Sequence, residues 1–369
     1  MSELPRMDVA SRLGRLRERM PEAECDGLLL TNLVNIRYLT GFTGSAALLV
    51  VLPDDAVLVS DGRYTFQSAE ELAAAGVEAR IEIGALSGQR EAVTGACKGV
   101  ARVGLEATNV SWSRQRAFAQ DWLPDSELVA TENLVEELRR VKDDGEIARI
   151  AEACRIADEA LARVRHRLAE GVTEADFALE LDFEIRTLGA SGNSFESIVA
   201  SGPNGAKPHA RPSDRRVEPG ELIVLDFGAM VDGYCSDMTR TLCVGAPASS
   251  TLERMVEVVT ESQAAGVAAV RAGAGAAGVD RVCRDVIADA GWADAFMHST
   301  GHGVGLDIHE APTVSATSTD TLVAGQVVTV EPGVYLPEYG GVRIEDTVVV
   351  TDDGCRRLTN APKDLVLSA

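Results

Sequence analysis

At 369 residues the chain is too long for one typical domain and fits two. Its 46% hydrophobic and 25% charged residues make an ordinary globular composition, and no apolar run approaches the about 18 residues of a membrane span. A net charge of −22 with no basic run excludes nucleic acid and anionic membranes as expected partners, since both need a positive patch.

The charged start MSELPRMDVASRLGRLRERM has no apolar h-region, so no signal peptide is expected. Seven scattered cysteines without a CxxC read as free thiols in a cytoplasmic protein. Four lysines against 31 arginines fit either high genomic GC or adaptation to salt.

Taken in chain order, a helical pattern over 9–20 precedes the apolar run GLLL. SAALLVVL and AVLVS follow as a hairpin around Pro53-Asp54-Asp55. FQSAEELAAAG reads as a helix ending at Gly76, before the strand-like EARIEIG and VGLEA. This interleaving predicts a small α/β domain over 1–135, with no metal cluster or phosphate loop. From about 131 to 170 the pattern is helical, interrupted at Asp143-Asp144-Gly145; His166, among arginines, reads as a solvated face residue. The remainder, 136–369, forms the second expected domain. There a helix near 174–188 leads into SIVASG, ELIVLDFGAMV and YCSDMTRTLCV, and a helical section near 252–290 precedes GHGVGLDIHE, QVVTVEPGVY and GGVRIEDTVVV. The helix-then-hairpin order occurs twice, which hints at an internal duplication.

The chemistry concentrates from about residue 174 onward, where four of the five histidines fall. Asp232-Gly233 is a two-residue hairpin signal. Folding about it pairs Val231 with Tyr234 and Gly228 with Asp237. Asp226 then becomes a diagonal neighbour of Asp237 on one face, with Cα atoms roughly 7–8 Å apart. Gly228 is expected to leave space between them. Asp226 interrupts the apolar face of Leu222 and Val224, where a carboxylate must be paired or metal-bound. Two such aspartates can grip two cations ~3.5–4 Å apart; the alternative pairs one with Arg240 and solvates the other. Glu331 ends a β-branched strand before Pro332-Gly333, and its charge needs a partner. Arg343 and Glu345, two apart, project from one strand face. They are either a cross-strand ion pair or a metal ligand with its orienting cation. His302, flanked by Gly301, Gly303 and Gly305, can be presented by tightly packed backbone. One imidazole with four carboxylates suits Mn²⁺, Co²⁺, Fe²⁺ or Zn²⁺ better than a structural zinc site. His309 is better placed as an acid or electrophile, and no histidine follows at the HExxH spacing.

These residues stand in motifs that resemble the pita-bread metallopeptidases: LDFGAMVDGYCSDMTRT, HSTGHGVGLDIHEAP, VVTVEPGVY and GGVRIEDTVVV, in that order. The first domain, with NIRYLTGF and VSDGRY, resembles the N-terminal domain of the Xaa-Pro branch, which methionine aminopeptidases lack. Creatinases share that domain but lose the metal ligands. The resemblance implies an α+β chain, with a pita-bread catalytic domain behind a creatinase/prolidase-type α/β domain. It implies two divalent ions, Mn²⁺ first, held by Asp226, Asp237, His302, Glu331 and Glu345, with Asp237 and Glu345 bridging. It makes Glu331 the general base for a metal-bridging hydroxide. His209 contacts the scissile peptide and His309 stabilises the tetrahedral intermediate. Arg343, His298 and Tyr335 line the substrate pocket or support the metal shell. The implied activity is Xaa-Pro dipeptidase, with Xaa-Pro aminopeptidase as alternative and a non-catalytic binding protein as a remote one. Proline-containing dipeptides or short peptides would be the partners, and the chain would form a homodimer.

Overall fold

The computed structural model describes residues 4–364 and 366–368. They divide into two compact units, residues 6–139 and residues 140–364 and 366–368, the latter joined by residues 4–5.

The first unit holds one sheet of β1 (Gly27–Leu30), β2 (Leu48–Val51), β3 (Ala56–Ser60), β4 (Arg80–Ile83), β5 (Arg102–Glu106) and β6 (Glu127–Thr131), ordered β4-β3-β2-β1-β5-β6. The Pro53-Asp54-Asp55 turn closes the β2–β3 hairpin, with Val51 opposite Ala56. The expected N-terminal helix is the shorter α1 (Arg12–Arg19). Three short connecting helices, α2 (Leu33–Thr40), α4 (Leu86–Ala96) and α5 (Trp112–Ala117), escape the sequence pattern, whereas α3 (Thr65–Ala75) ends at the expected Gly76, left-handed at φ +68°. Helix α6 (Leu134–Arg139) contains the boundary expected near residue 135 and stays whole with this unit. The Tyr38 hydroxyl donates to Leu138 O at 3.0 Å, and Arg139 Nη1 donates to Asn35 Oδ1 at 2.9 Å, so α6 is tied to α2.

The second unit opens with α7 (Asp144–Val164), started by a capping box between Asp143 and Glu146, then α8 (Glu174–Thr187). His166, between them, is exposed. Strands β7 (Gly192–Asn193), β8 (Ile198–Ser201), β9 (Leu222–Phe227), β10 (Ala229–Val231), β11 (Tyr234–Cys235) and β12 (Met238–Val244) follow. The helical section expected over 252–290 is two helices, α9 (Ser250–Ala269) and α10 (Ala276–Asp289), with left-handed Gly273 between them. The last strands are β13 (Gly301–Gly303), β14 (Glu310–Val314), β15 (Val327–Val330), β16 (Gly333–Leu336), β17 (Gly340–Arg343), β18 (Asp346–Val350), β19 (Cys355–Arg357) and β20 (Val366–Leu367).

Two halves share one plan. In the first, α7 and α8 precede β8 and the β9–β12 hairpin, whose tip is β10–β11. In the second, α9 and α10 precede β13 and the β15–β18 hairpin, whose tip is β16–β17. Each helix pair covers its own sheet. Ile156, Leu161, Phe177 and Leu181 pack on Ile223, Leu225 and Phe227. Met255, Val259, Val279 and Ile287 pack on Val328, Val330 and Val348. Leu222 belongs to the second core, so β9 turns its even-numbered face, Asp226 included, away from α7 and α8.

Both hairpins break where their acids sit. Asp232 and Gly233 adopt φ +46° and +77°, the positive values such a two-residue turn needs. Val231 faces Tyr234 at the tip, and Phe227 faces Met238 and Asp226 faces Thr239 below it, so Gly228 falls opposite Asp237. In the second hairpin Val330 faces Asp346 and Gly333 faces Arg343, so Glu331 falls opposite Glu345. GGVRIEDTVVV is therefore two strands rather than one. All seven cysteines are free thiols, and no helix among the described residues is long and apolar enough to cross a membrane.

Candidate metal centre

Eight residues singled out in the sequence line a cavity of about 660 Å³ in the second unit: His209, Asp226, Asp237, His298, His302, His309, Glu331 and Arg343. Glu345 and Tyr335 are buried and not among the residues lining it; the Tyr335 hydroxyl meets Arg343 and His298, which fits the supporting place the resemblance allowed it.

The acids of both hairpins converge on His302. Ligand atoms of Asp237, His302 and Glu345 lie within 4.8 Å of one another. His302 Nε2 is 3.3 Å from Glu331 Oε1 and 3.5 Å from Asp237 Oδ2. Its Nδ1 lies 3.0 Å from Gly303 O, and a carbonyl only accepts, so Nδ1 carries the proton and Nε2 faces the carboxylates.

Other side chains hold the acids in place. Arg343 Nη2 donates to Asp226 Oδ2, and Nη1 donates to the Tyr335 hydroxyl at 2.7 Å. That hydroxyl is 2.8 Å from His298 Nε2, while His298 Nδ1 is 2.8 Å from Ser299 O. The polarity is then consistent: Arg343 donates to Tyr335, and Tyr335 donates to His298. Two threonines escape the sequence reading. Thr239 Oγ1 donates to Glu345 Oε2 at 2.7 Å and accepts from Arg343 Nε at 3.1 Å; Thr329 Oγ1 donates to Glu331 Oε1 at 3.2 Å. Their signal was positional: Thr239 faces Asp226 across the ladder, and Thr329 shares a strand face with Glu331. Lys142, also unsuspected and itself buried, donates to Glu310 Oε1 at 2.6 Å and ties down the residue after His309.

Two sequence expectations change here. Arg240 pairs with Asp346 at 3.0 Å and donates to Ala361 O, so it neutralises neither Asp226 nor Asp237. Gly228 does not leave open space between the aspartates. A Cβ there would collide with Ser236 O, so the glycine lets two backbones meet. Gly301 does the same against Thr329 O, which brings His302 close to β15.

Burial, reinforced by neighbouring carboxylates, pushes Asp237 and Glu345 well above the usual carboxylate range. Burial also pushes Glu331 upward, but the hydrogen bond and charge of His302, with His298 and Arg343, bring it below its ordinary value. Burial lowers His302, and Glu331 more than compensates, so it rises. His309, its ring centroid 4.3 Å from that of His302, is lowered by burial and by the His302 charge.

This donor set fits a divalent cation. Asp226 Oδ1 and Glu345 Oε1 are buried without a hydrogen-bond partner, a costly state that a cation relieves. Oxygen donors with a single imidazole match the harder transition ions.

The model of metallopeptidase family M24 matches residues 148–352, more than half the chain. The chain belongs to this family. The creatinase/prolidase N-terminal domain model matches residues 12–141. An uncharacterized peptidase of Bacillus subtilis is 42% identical over 96% of this chain and 99% of its own. Among solved structures, an Xaa-Pro dipeptidase from Bacillus anthracis is 39% identical, with TM-score 0.92 over 97% of this chain and 99% of that one. An X-Pro aminopeptidase from Thermotoga maritima is 33% identical, with TM-score 0.87 over 95% of this chain and 99% of that one. This M24 enzyme is thus a metallopeptidase with a creatinase-type N-terminal domain and a pita-bread catalytic domain, as the motifs implied.

Proposed function

We propose that the enzyme hydrolyses the Xaa-Pro bond at the N-terminus of dipeptides or short peptides, with two divalent ions, Mn²⁺ foremost, as cofactor. Asp226, Asp237, His302, Glu331 and Glu345 would hold the ions. The observation that carries the reading is the convergence of Asp237, Glu331 and Glu345 on one imidazole in the cavity that Asp226 also lines, with two buried carboxylate oxygens lacking donors. Bound divalent ions supply Lewis acidity and acidify water enough for attack at neutral pH.

The chain's own groups supply the rest. Glu331, held below its ordinary pKa, is ionised at neutral pH; it accepts the proton of the attacking water and returns it to the leaving nitrogen. His309, with its pKa lowered, is neutral there and offers an N–H to the developing oxyanion, a role typically worth about 2.7–4 kcal/mol per donor. His209 contacts the scissile peptide from the cavity wall. Arg343, its other nitrogen engaged by the Tyr335 hydroxyl that in turn meets His298, orients Asp226 directly.

Within this class, dipeptidase is the leading reading. A dipeptidase needs a cation for the substrate carboxylate, and the arginines lining the cavity are Arg211 and Arg343. Arg343 is engaged by Asp226, Tyr335, Thr239 and Pro208 O. Arg211, two residues from His209, meets only the exposed Glu196 at 3.5 Å among the described residues, so we assign it the carboxylate. The aminopeptidase alternative draws support from the cavity, whose 660 Å³ leaves room beyond a dipeptide. The free thiols support a cytoplasmic setting, and the family resemblance supports a homodimer.

The test is chelation, reloading with Mn²⁺, and parallel assays on Ala-Pro and Ala-Pro-Pro. Cleavage of the dipeptide alone establishes the dipeptidase. Cleavage of the tripeptide as well or better establishes the aminopeptidase. Cleavage of neither, with Co²⁺ and Zn²⁺ also tried, removes the Xaa-Pro reading.

A further inference from the structure

We infer that Glu174 is a positioning residue for catalysis, holding the loop that presents His209 and Arg211 to the cavity; this rests on reading His209 as a substrate contact. Glu174 sits in the first turn of α8 and is completely buried. A buried carboxylate is tolerated only when its oxygens are hydrogen-bonded, and here both are spent on one loop. Oε1 accepts from Ser201 N at 2.7 Å and Ser201 Oγ at 2.8 Å. Oε2 accepts from Ser213 N at 3.1 Å and Ser213 Oγ at 2.6 Å. Asn204 Nδ2 lies 3.2 Å from the first oxygen and 3.0 Å from the second.

Ser201 opens this loop, Ser213 closes it, and Asn204 lies inside. One carboxylate therefore joins both ends of residues 201–213 and leaves 208–211 to project at the cavity. The backbone of α8 adds to the clamp: Glu174 N donates to Arg215 O at 2.9 Å and Ala175 N to Ser213 O at 3.0 Å. The far side of the loop rests on β17. Arg343 Nη1 donates to Pro208 O at 3.2 Å, and Gly205 meets Gly341 so closely that a Cβ on Gly341 would strike Gly205 O. The loop is thus held between Glu174 and the strand that carries Arg343. Charge-assisted bonds to backbone N–H groups are the stronger kind, which suits a carboxylate to this place better than an amide.

Glu174→Gln tests the idea with little change of shape. The amide NH₂ must replace one oxygen. Whichever way it turns, it meets a backbone N–H, of Ser201 or of Ser213, that cannot reverse its polarity. One end of the loop is then released. The expected result is a fall in kcat/KM on Ala-Pro of about 10- to 100-fold, the scale of a small misplacement of a contact group. Mn²⁺ affinity, measured by titration of the metal-free protein, should stay within about threefold, because the metal-holding acids lie on other segments. Ser213→Ala, a milder change for use should Glu174→Gln fail to fold, should lower kcat/KM by about 3- to 10-fold. In a His209→Ala background assayed on Ala-Pro amide, where Arg211 has no carboxylate to hold, either substitution should cost less than about threefold, because groups that act through one another are non-additive. Amide hydrogen exchange over 202–213 should quicken in both variants.

An equal loss in the two backgrounds would mean that Glu174 stabilises the fold without positioning His209, and overturns the inference. So would unchanged kcat/KM and unchanged exchange in a folded Glu174→Gln protein. Full activity of His209→Ala instead overturns the substrate-contact reading, while the exchange data still report whether Glu174 holds the loop.

Discussion

Arg343 and Asp226, 117 residues apart in sequence, share a buried hydrogen bond that occupies Asp226 Oδ2 and leaves Oδ1 without a donor. The arginine thereby fixes which oxygen is offered to a cation. Its fork also reaches Tyr335 and Thr239, so a point charge is no substitute. Arg343→Lys is expected to weaken Mn²⁺ binding about 10- to 100-fold, the usual effect of removing a group that orients a ligand. Titration of the metal-free protein measures this; an unchanged affinity would falsify the orienting role.

Metal should stabilise the fold more as pH rises. The pKa values of Asp237 and Glu345 are raised by burial above their unfolded values. A carboxyl raised on folding contributes stability that is fully present below its unfolded pKa and is lost as pH climbs through the folded one. The metal-free protein is therefore penalised progressively from about pH 4 upward, and a cation relieves these acids. The rise in melting temperature on adding Mn²⁺ is expected to be larger at pH 7.5 than at pH 5. A shift independent of pH would show that these acids do not carry the metal's contribution.

If Arg211 receives the substrate carboxylate, its loss should discriminate between substrates. Arg211→Ala is expected to raise KM for Ala-Pro by about 10-fold, in line with about 1–2 kcal/mol for an exposed charge-assisted bond. Hydrolysis of Ala-Pro amide, which lacks the carboxylate, should change little. Equal effects on both substrates would remove Arg211 from this role.

Gly228 tests the pinched hairpin. In Gly228→Ala the new methyl meets Ser236 O, a backbone atom, and the β9–β12 pairing must shift. Since Asp226 and Asp237 stand on either side of that point, Mn²⁺ affinity should fall at least about 10-fold, with a stability loss of about 1–3 kcal/mol from overpacking. Denaturant melts with and without metal would separate the two effects.

Much of the site was legible because local chemistry specifies it. Asp232-Gly233 named the turn, the turn set the register, and the register carried down to Asp226 opposite Thr239. The glycines around His302 pointed to close backbone approach, which Gly301 and Gly303 make against Thr329 and Ala311. The pattern was silent where the controlling contact is distant. GGVRIEDTVVV reads as one strand, but Arg343 pairs with Gly333 and Asp346 with Val330, so the strand breaks at Glu345. Tyr335 looks like a pocket residue until Arg343 and His298 claim its hydroxyl. Glu174 carries no motif at all, since its partners lie 27 to 39 residues away.

Residue order and turn chemistry thus specify two hairpins, each carrying acids at its break, and the residue types of a divalent-metal peptidase. Packing settled which oxygens stay unsatisfied, which arginine is committed and which remains at the cavity mouth, and which buried acid clamps the His209 loop. The physical reason is range. A turn acts through the φ and ψ of neighbouring residues, whereas the cost of a buried charge depends on every group that folding brings around it.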